Sequence, residues 1–412
     1  MSIAYLKKLS IERRFLMAHI ERFSIEGLAG RKDTFSRDLN RDINIFFGLN
    51  GSGKTSLLKI LHSALSGDTI VLNNVPFKTA EVQMYSNDFK KSFTLSIEQI
   101  QIENSSEMEL YSKRSIRYIE SPDRYIESPE YIQLIEKYPS KLAWKYQPKL
   151  PKTAHGSWAH KYLPTSRVYE NAPKLFSSSG DRTLTEEALD VYFARAIETL
   201  WTDYFSNILS TVRKAQEDGL ASILKDIMSP PNINENDKKI ENISVAYKRV
   251  SAFLERQGSK KIIGTLHNFE ERFQSNPQFK NIVSDINEVE KKIETATAPK
   301  EKLQELIKKL YSGNKAINFE DKGITVRTLD NKNIGLQFLS SGEKQVLRIF
   351  IETLRAESNS IFVDEPELSL HIDWQKQLIA DMQLLNPNTQ IIFATHSPEI
   401  MAEVDDNRIF RL

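Results

Sequence analysis

The chain has 412 residues, of which 40% are hydrophobic and 27% charged, with a formal net charge of +1 and no cysteine. That length gives room for a sizeable core and about two or three domains, and the near-neutral balance excludes a global basic field, so any nucleic-acid or membrane affinity must be local. Disulfides and thiolate zinc sites are excluded, and no apolar run approaches the roughly 18 residues of a membrane span. The N-terminal "MSIAYLKKLSIERRFLMAH" is interrupted by Lys and Arg and offers no apolar leader core, so a soluble cytoplasmic chain is expected.

In chain order, "FLMAHIERFSIEGLAGRKDTFSRDL" alternates apolar and polar residues as antiparallel strands do. Ile43, Ile45, Phe46 and Phe47 then form a short apolar run that reads as a buried strand, followed by a glycine-rich turn and by Leu57, Leu58, Leu61 and Leu65 at helical spacing. "AEVQMYS" and "KSFTLSIEQIQIE" continue the strand pattern. Residues 117–130, "RYIESPDRYIESPE", are a near-duplication too short for a solenoid and read as a loop.

The interval from Lys137 to Tyr169 holds seven Lys or Arg residues and no Asp or Glu, with Trp144, Tyr146, Trp158 and Tyr162 interleaved. Such a composition can grip a nucleic-acid backbone and stack on bases. A proline-rich surface loop or a dock for an acidic partner fits it equally well. His155 and His160 lie here without matching carboxylates and read as ordinary loop residues.

From Thr183, a helix cap with Glu186 three residues on, the pattern is helical, with Leu189, Phe193, Ile197, Leu200, Tyr204, Ile208 and Val212 on one face. Pro230 and Pro231 break it, and helices are expected at about 237–256, 266–293 and 300–311. Short strands joined by Lys322-Gly323 and Asp330-Asn331 turns follow. "SIFVDEPE" and "TQIIFATHSPE" then read as two buried strands of a parallel sheet with a helix between them. The expected fold is α/β: residues 1–182 and 313–412 as two lobes of one core with a β-rich flank, and 183–312 as a helical insertion.

Three motifs carry chemistry. "GLNGSGKT", Gly48 to Thr55, fits the phosphate-loop pattern with a strand before it and a helix after it. Gly48, Asn50, Gly51, Ser52, Gly53, Lys54, Thr55 and Ser56 would wrap the phosphates of ATP, with Lys54 reaching the β and γ groups and the Thr55 hydroxyl holding Mg²⁺. In "SIFVDEPE" the strand delivers Asp364, a Mg²⁺ residue acting through water, and Glu365, which would polarise the attacking water as general base. In "IIFATHSPE" a strand ends at His396, suited to contact the γ-phosphate and that water.

Phosphate loop, "LSSGE", "VDEPE" and a strand-end His, in this order, resemble the ABC-type ATPases. The resemblance implies that Ser340, Ser341, Gly342 and Glu343 begin a helix that contacts ATP held by an opposite subunit, in a head-to-tail homodimer or a higher even-numbered assembly. A helix N-terminus with small residues is a good anion receptor; the plain alternative is a capped helix start. The long interval from Lys54 to Ser340 and the "EPELSLH" segment look like the RecF/SMC/OLD branch, most similar to the ATPase subunits of bacterial antiphage systems of the Septu or PARIS type. Leu368 to His371 would be its D-loop.

That resemblance implies a Mg²⁺-dependent ATPase, a hydrolase acting as sensor or scaffold for a separate nuclease. The chain ends soon after the His strand, at "RIFRL", and no nuclease constellation remains unassigned, so nuclease activity is expected of a partner. The glutamine that the family places between phosphate loop and signature is not evident; in "KYLPTSRVY", Arg167 is the expected site-proximal residue. Two rivals stand: a DNA repair or recombination ATPase that clamps DNA itself, and the ATP-binding subunit of a membrane transporter.

Overall fold

A computed structural model describes residues 16–98 except 73, then 144–149, 158–165, 186–228, 242–256, 258, 263–311, 315–321 and 323–412. The duplication at 117–130, the Thr183 cap, the Pro230-Pro231 break, His155, Arg167 and most of 137–169 lie outside the described residues.

The chain divides into two compact units, one comprising residues 1–197, 309–316 and 325–412, the other 198–308 and 317–324. The first is built on a ten-stranded sheet. Its antiparallel part comes early in the chain: β1 (Leu16–Glu26) pairs with β2 (Thr34–Asp38) and with β4 (Thr79–Ser86), β4 with β5 (Lys91–Glu98), and β5 with β6 (Lys145–Gln147). The alternating residues of these strands explain the pairing: Ala80, Val82 and Met84 of β4 are buried while Thr79 and Glu81 are exposed.

The parallel part is assembled from distant segments. β3 (Ile43–Phe47) lies between β12 (Gln390–Thr395) and β13 (Ile409–Arg411), and β12 pairs with β11 (Ser360–Asp364). β11 pairs in turn with β7 (Trp158–Leu163), which borders β1. Every residue of β11 and β12 is buried, as unbroken apolar runs covered on both faces must be. Register matters for function: Asp364 sits opposite Ala394, and Thr395 opposite Phe47. Three parallel strands therefore release their chains at one edge, where α/β sheets keep ligands.

The first helix, α1 (Lys54–Ser66), follows β3 directly and buries Leu57, Leu58, Leu61 and Leu65 completely. It ends at Gly67, in the left-handed conformation that closes helices. His160 lies in β7 rather than in a loop, and its Nε2 is 2.7 Å from His62 Nδ1 on α1.

Helix α2 (Glu186–Met228) runs for 43 residues. Its buried hydrophobic positions are Phe193, Ala194, Ile197, Trp201, Phe205, Ile208 and Ala215, so the stripe passes through Trp201 and Phe205 rather than through Leu200 and Tyr204. Helix α3 (Ile243–Arg256) begins within the expected span. The expected helix 266–293 is instead split into α4 (Leu266–Ser275) and α5 (Pro277–Leu310). Asn276 ends α4 in an extended conformation and accepts from Phe279 N, while Pro277 suits a first helical turn, where its missing N–H costs nothing. Pro299 does not break α5; Leu303, Leu306 and Ile307 beyond it are buried, and their packing outweighs the loss of one helical hydrogen bond.

Within the second unit, Trp201 meets Phe319 as a tilted ring pair with centroids 4.8 Å apart and donates its indole N–H to Glu320 O. A separate cluster joins Ala246, Val250, Phe269, Phe273, Val283 and Ile286. Strands β8 (Lys315–Glu320), β9 (Gly323–Thr328) and β10 (Asn333–Ile334) form a three-stranded sheet, with Asn331 at φ 58° in the second turn. Helix α6 (Ser341–Arg355) precedes β11, α7 (Ile372–Leu385) separates β11 from β12, and the short α8 spans Pro398–Met401. Among the described residues no helix is long and apolar enough to cross a membrane.

Candidate active site

The phosphate loop is the turn from β3 into α1. Gly51 and Gly53 have φ of 82° and 98°, a region that costs other residues strain. A Cβ on Gly53 would also stand 2.8 Å from Ala29 Cβ, so glycine is required there twice over. Ser52 N donates to Leu49 O, and the buried Ser52 hydroxyl has no hydrogen-bond partner. Lys54, only 4% exposed, donates to Gly48 O at 2.8 Å and to Leu49 O at 3.2 Å, and lies 3.5 Å from Glu365 Oε1.

At the end of β11 the Thr55 hydroxyl donates to Asp364 Oδ2 at 2.8 Å. A second hydroxyl, that of Thr165 just past β7, donates to the same oxygen at 2.6 Å. Burial raises the Asp364 pKa, against the lowering effect of the two hydroxyls and of Lys54. Asp364 Oδ1 is buried without a hydrogen-bond partner. An orphaned carboxylate oxygen beside a threonine hydroxyl is a hard, all-oxygen donor set, and it fits a divalent cation such as Mg²⁺.

Glu365, the next residue, has φ 51°, unusual for a side chain of its size and a form of strain that collects at functional sites. Its N–H is held by Ala394 O at 2.8 Å, so the strain is maintained by the neighbouring strand. His396 Nδ1 is 2.6 Å from Glu365 Oε2 and 2.9 Å from Glu367 Oε1. Lys54, Thr55, Asp364, Glu365 and His396 are therefore linked by direct contacts.

The signature residues make local contacts. Ser340 Oγ accepts from Glu343 N, and Glu343 Oε2 accepts from Ser340 N at 2.6 Å, a reciprocal capping box at the start of α6. Glu343 also receives Lys315 at 2.9 Å. Burial opposes its ionisation, but the Lys315 and Ser340 hydrogen bonds prevail and lower its pKa. Gly342 packs so tightly on the Ser369 carbonyl that a Cβ would collide with it. Ser340 and Ser341 are exposed, as is Phe338 at 67%; Leu49, in the phosphate loop, is 84% exposed.

Two residues of this cluster had escaped sequence reasoning. Thr165 stands two positions before Arg167, in the segment already singled out, and its signal was a hydroxyl residue just past a strand end, as in "ATHS". Glu367 was the second carboxylate of "EPE", whose spacing alone carries no indication of which way it turns.

Comparison with known proteins gives three kinds of match. The chain is 30% identical over 99 residues to the Retron Ec83 probable ATPase of Escherichia coli, covering 20% of this chain and 18% of that protein. It is 22% identical over 395 residues to the Retron Vc95 probable ATPase of Vibrio cholerae, covering 90% of this chain and 68% of that protein. Its matches thus span less than a fifth of the first relative and about two thirds of the second. Among solved structures it is similar to the Smc head domain of Pyrococcus furiosus bound to the C-terminal domain of ScpA (16% identity, TM-score 0.38, 94% of this chain and 92% of that one). A second is the SMC head domain of Thermotoga maritima (10% identity, TM-score 0.37, 94% and 92%). A family of AAA ATPase domains, AAA_15, matches residues 19–401, from the first strand of the sheet to the helix beyond His396, and so this chain belongs to it.

Proposed function

We propose that the chain binds ATP with Mg²⁺ on the phosphate loop, hydrolyses it to ADP and phosphate through Glu365, and closes head-to-tail on a second copy around the nucleotide. The observation that carries this reading is the pairing of Thr55 with Asp364 beside an unsatisfied Asp364 Oδ1, one residue from a strained Glu365 that contacts both Lys54 and His396. Thr55, Asp364 and Thr165 would hold the cation, which when bound neutralises phosphate charge.

The rest follows from the chain's own groups. Loop N–H groups from Gly51 to Thr55 and the N-terminal end of α1 receive phosphate oxygens. Lys54 exchanges its loop carbonyls for them. Glu365, already an acceptor for His396, accepts a proton from the attacking water, and His396 orients the water or the terminal phosphate. Ser341, at the exposed start of α6 and free of the capping box, is the group best placed to meet a nucleotide held by another copy. Phe338 and Leu49, exposed beside the signature and the phosphate loop, are apolar surface of the kind that a second copy would cover.

Beyond the ATPase we propose a sensor or scaffold role that controls a separate nuclease in antiphage defence, in the cytoplasm. The similarity to retron ATPases supports it. Direct DNA clamping through 137–169 would be the alternative, and that interval lies mostly outside the described residues.

In the test, Glu365→Gln with ATP and Mg²⁺ gives a stable dimer by light scattering and turnover reduced about a hundredfold or more. Ser341→Arg binds ATP but neither dimerises nor turns over; normal ATPase activity in that variant refutes the shared site. Tagged Glu365→Gln purified with ATP from its native host carries a stoichiometric nuclease if the defence reading holds, and carries DNA alone if the clamp reading does.

A further inference from the structure

We propose that Glu367 is a positioning residue for His396: it fixes the imidazole with hydrogen on Nδ1 and leaves Nε2 as the ring atom that meets phosphate or water. Glu367 is 6% exposed. Its Oε1 accepts from the Thr395 hydroxyl at 2.7 Å and from the His396 backbone N–H at 2.8 Å, and lies 2.9 Å from His396 Nδ1. One carboxylate oxygen therefore ties the end of β12, the following peptide and the ring together. A carboxylate can only accept here, so the ring nitrogen facing it must carry the hydrogen.

The same Nδ1 stands 2.6 Å from Glu365 Oε2. Two carboxylates thus share one ring N–H, and they differ in freedom. The Glu365 side chain is 14% exposed and contacts Lys54; that of Glu367 is 5% exposed and held by two further donors. When Glu365 turns to accept a proton from water, Glu367 still receives the Nδ1 hydrogen. The tautomer and ring angle then persist through the reaction, which the catalytic base alone could not ensure. Glu367 Oε2 is buried and without a hydrogen-bond partner, a desolvation cost that a purely structural tie would avoid.

The tautomer part of this inference stands on the contacts alone, while the turnover part rests on the ATPase reading. The test is ¹⁵N-histidine NMR of the full chain at about pH 8, where an ordinary imidazole is neutral, with His396→Gln assigning the signal. Wild type shows hydrogen on Nδ1, Glu367→Gln keeps it because the amide oxygen still accepts, and Glu367→Ala loses it. Turnover in Glu367→Ala falls about tenfold or more with ATP affinity within about twofold of wild type, Glu367→Gln recovers most of the loss, and Glu367→Ala adds nothing in the His396→Gln background.

Hydrogen on Nε2 alone in the wild type overturns the proposal even if Glu367→Ala does not fold. So does an equal turnover loss from Glu367→Ala in the His396→Gln background. A metal ion bound by Glu365, Glu367 and His396, whose ligand atoms lie within 4.8 Å of one another, also overturns it. Absence of ATP hydrolysis by the wild type would instead remove the ATPase reading and leave the NMR result to decide the tautomer.

Discussion

The imidazole pair behind the phosphate loop makes stability depend on pH in a calculable way. His160 Nδ1 faces the Trp158 carbonyl at 2.8 Å, and a carbonyl only accepts, so His160 carries its hydrogen there. Its Nε2 must then accept from His62 Nδ1, 2.7 Å away. Burial lowers the His62 pKa to about 3, helped by His160, and lowers that of His160 to about 4. Both folded values lie below the unfolded value of about 6.5, so the fold binds fewer protons than the open chain. Stability is complete above about pH 6.5, falls as pH drops towards the lower folded value near 3, and loses nothing more below it. At pH 5 an independent imidazole would lose about 2 kcal/mol. Partial exposure and the shared hydrogen bond reduce the pair to about 1–3 kcal/mol in total. The assay is calorimetric melting of the wild type and of His62→Phe/His160→Leu from pH 7.5 to pH 5, since carboxylate contributions common to both cancel. The wild type should lose a few degrees more than the variant over that range. Equal slopes would refute both the buried neutral pair and the tautomers assigned to it.

Lys54→Ala removes the only cation in contact with Glu365 among the described residues and the tie to the Gly48 and Leu49 carbonyls; affinity for a fluorescent ATP analogue should fall about a hundredfold or more. Gly342→Ala drives a methyl group into the Ser369 carbonyl, costing about 1–3 kcal/mol and displacing the start of α6; dimerisation and turnover should be lost while ATP still binds, and a normal dimer in light scattering would contradict this. Thr165→Val keeps the shape but deletes the 2.6 Å hydrogen bond to Asp364, worth about 1.5–3 kcal/mol. Calorimetric titration should show Mg²⁺-dependent tightening of ATP binding reduced about tenfold, with Mg²⁺-free binding unchanged.

Legibility in the sequence followed locality. The phosphate loop, β3 and α1 were readable because strand, turn and helix are consecutive, and each imposes its own residue types between Ile43 and Leu65. β11 and β12 were readable as parallel neighbours because every residue in them is buried, which leaves uninterrupted apolar runs. The stripe through Trp201 and Phe205 and the one through Leu200 and Tyr204 are offset by one residue and both fit helical spacing; only tertiary packing, such as that of Trp201 on Phe319, decides between them. The break at Asn276 was overridden in the reading by the helical pattern on either side, although Asn-Pro is a local stop and start signal. Thr165 and Glu367 were hidden for another reason: their partners, Asp364 and His396, lie 199 and 29 residues away, and no spacing encodes such contacts.

Three carboxylates within four residues, Asp364, Glu365 and Glu367, would repel one another if they shared one solvent, and the fold gives each a different set of partners. Asp364 receives two hydroxyls on one oxygen and keeps the other bare, the arrangement best suited to a cation brought in with the nucleotide. Glu365 contacts Lys54; in the proposed reaction Lys54 would turn to phosphate as ATP enters, so the event that delivers substrate would release Glu365 from its cation. Glu367 receives its donors, Thr395 and His396, from the end of the neighbouring strand β12, and neither is a group that the proposed exchange would move. In the proposed reaction, nucleotide entry would therefore change the surroundings of the first two carboxylates and not of the third. That difference is the physical reason for a buried, fixed acceptor behind His396, beside one that must let go.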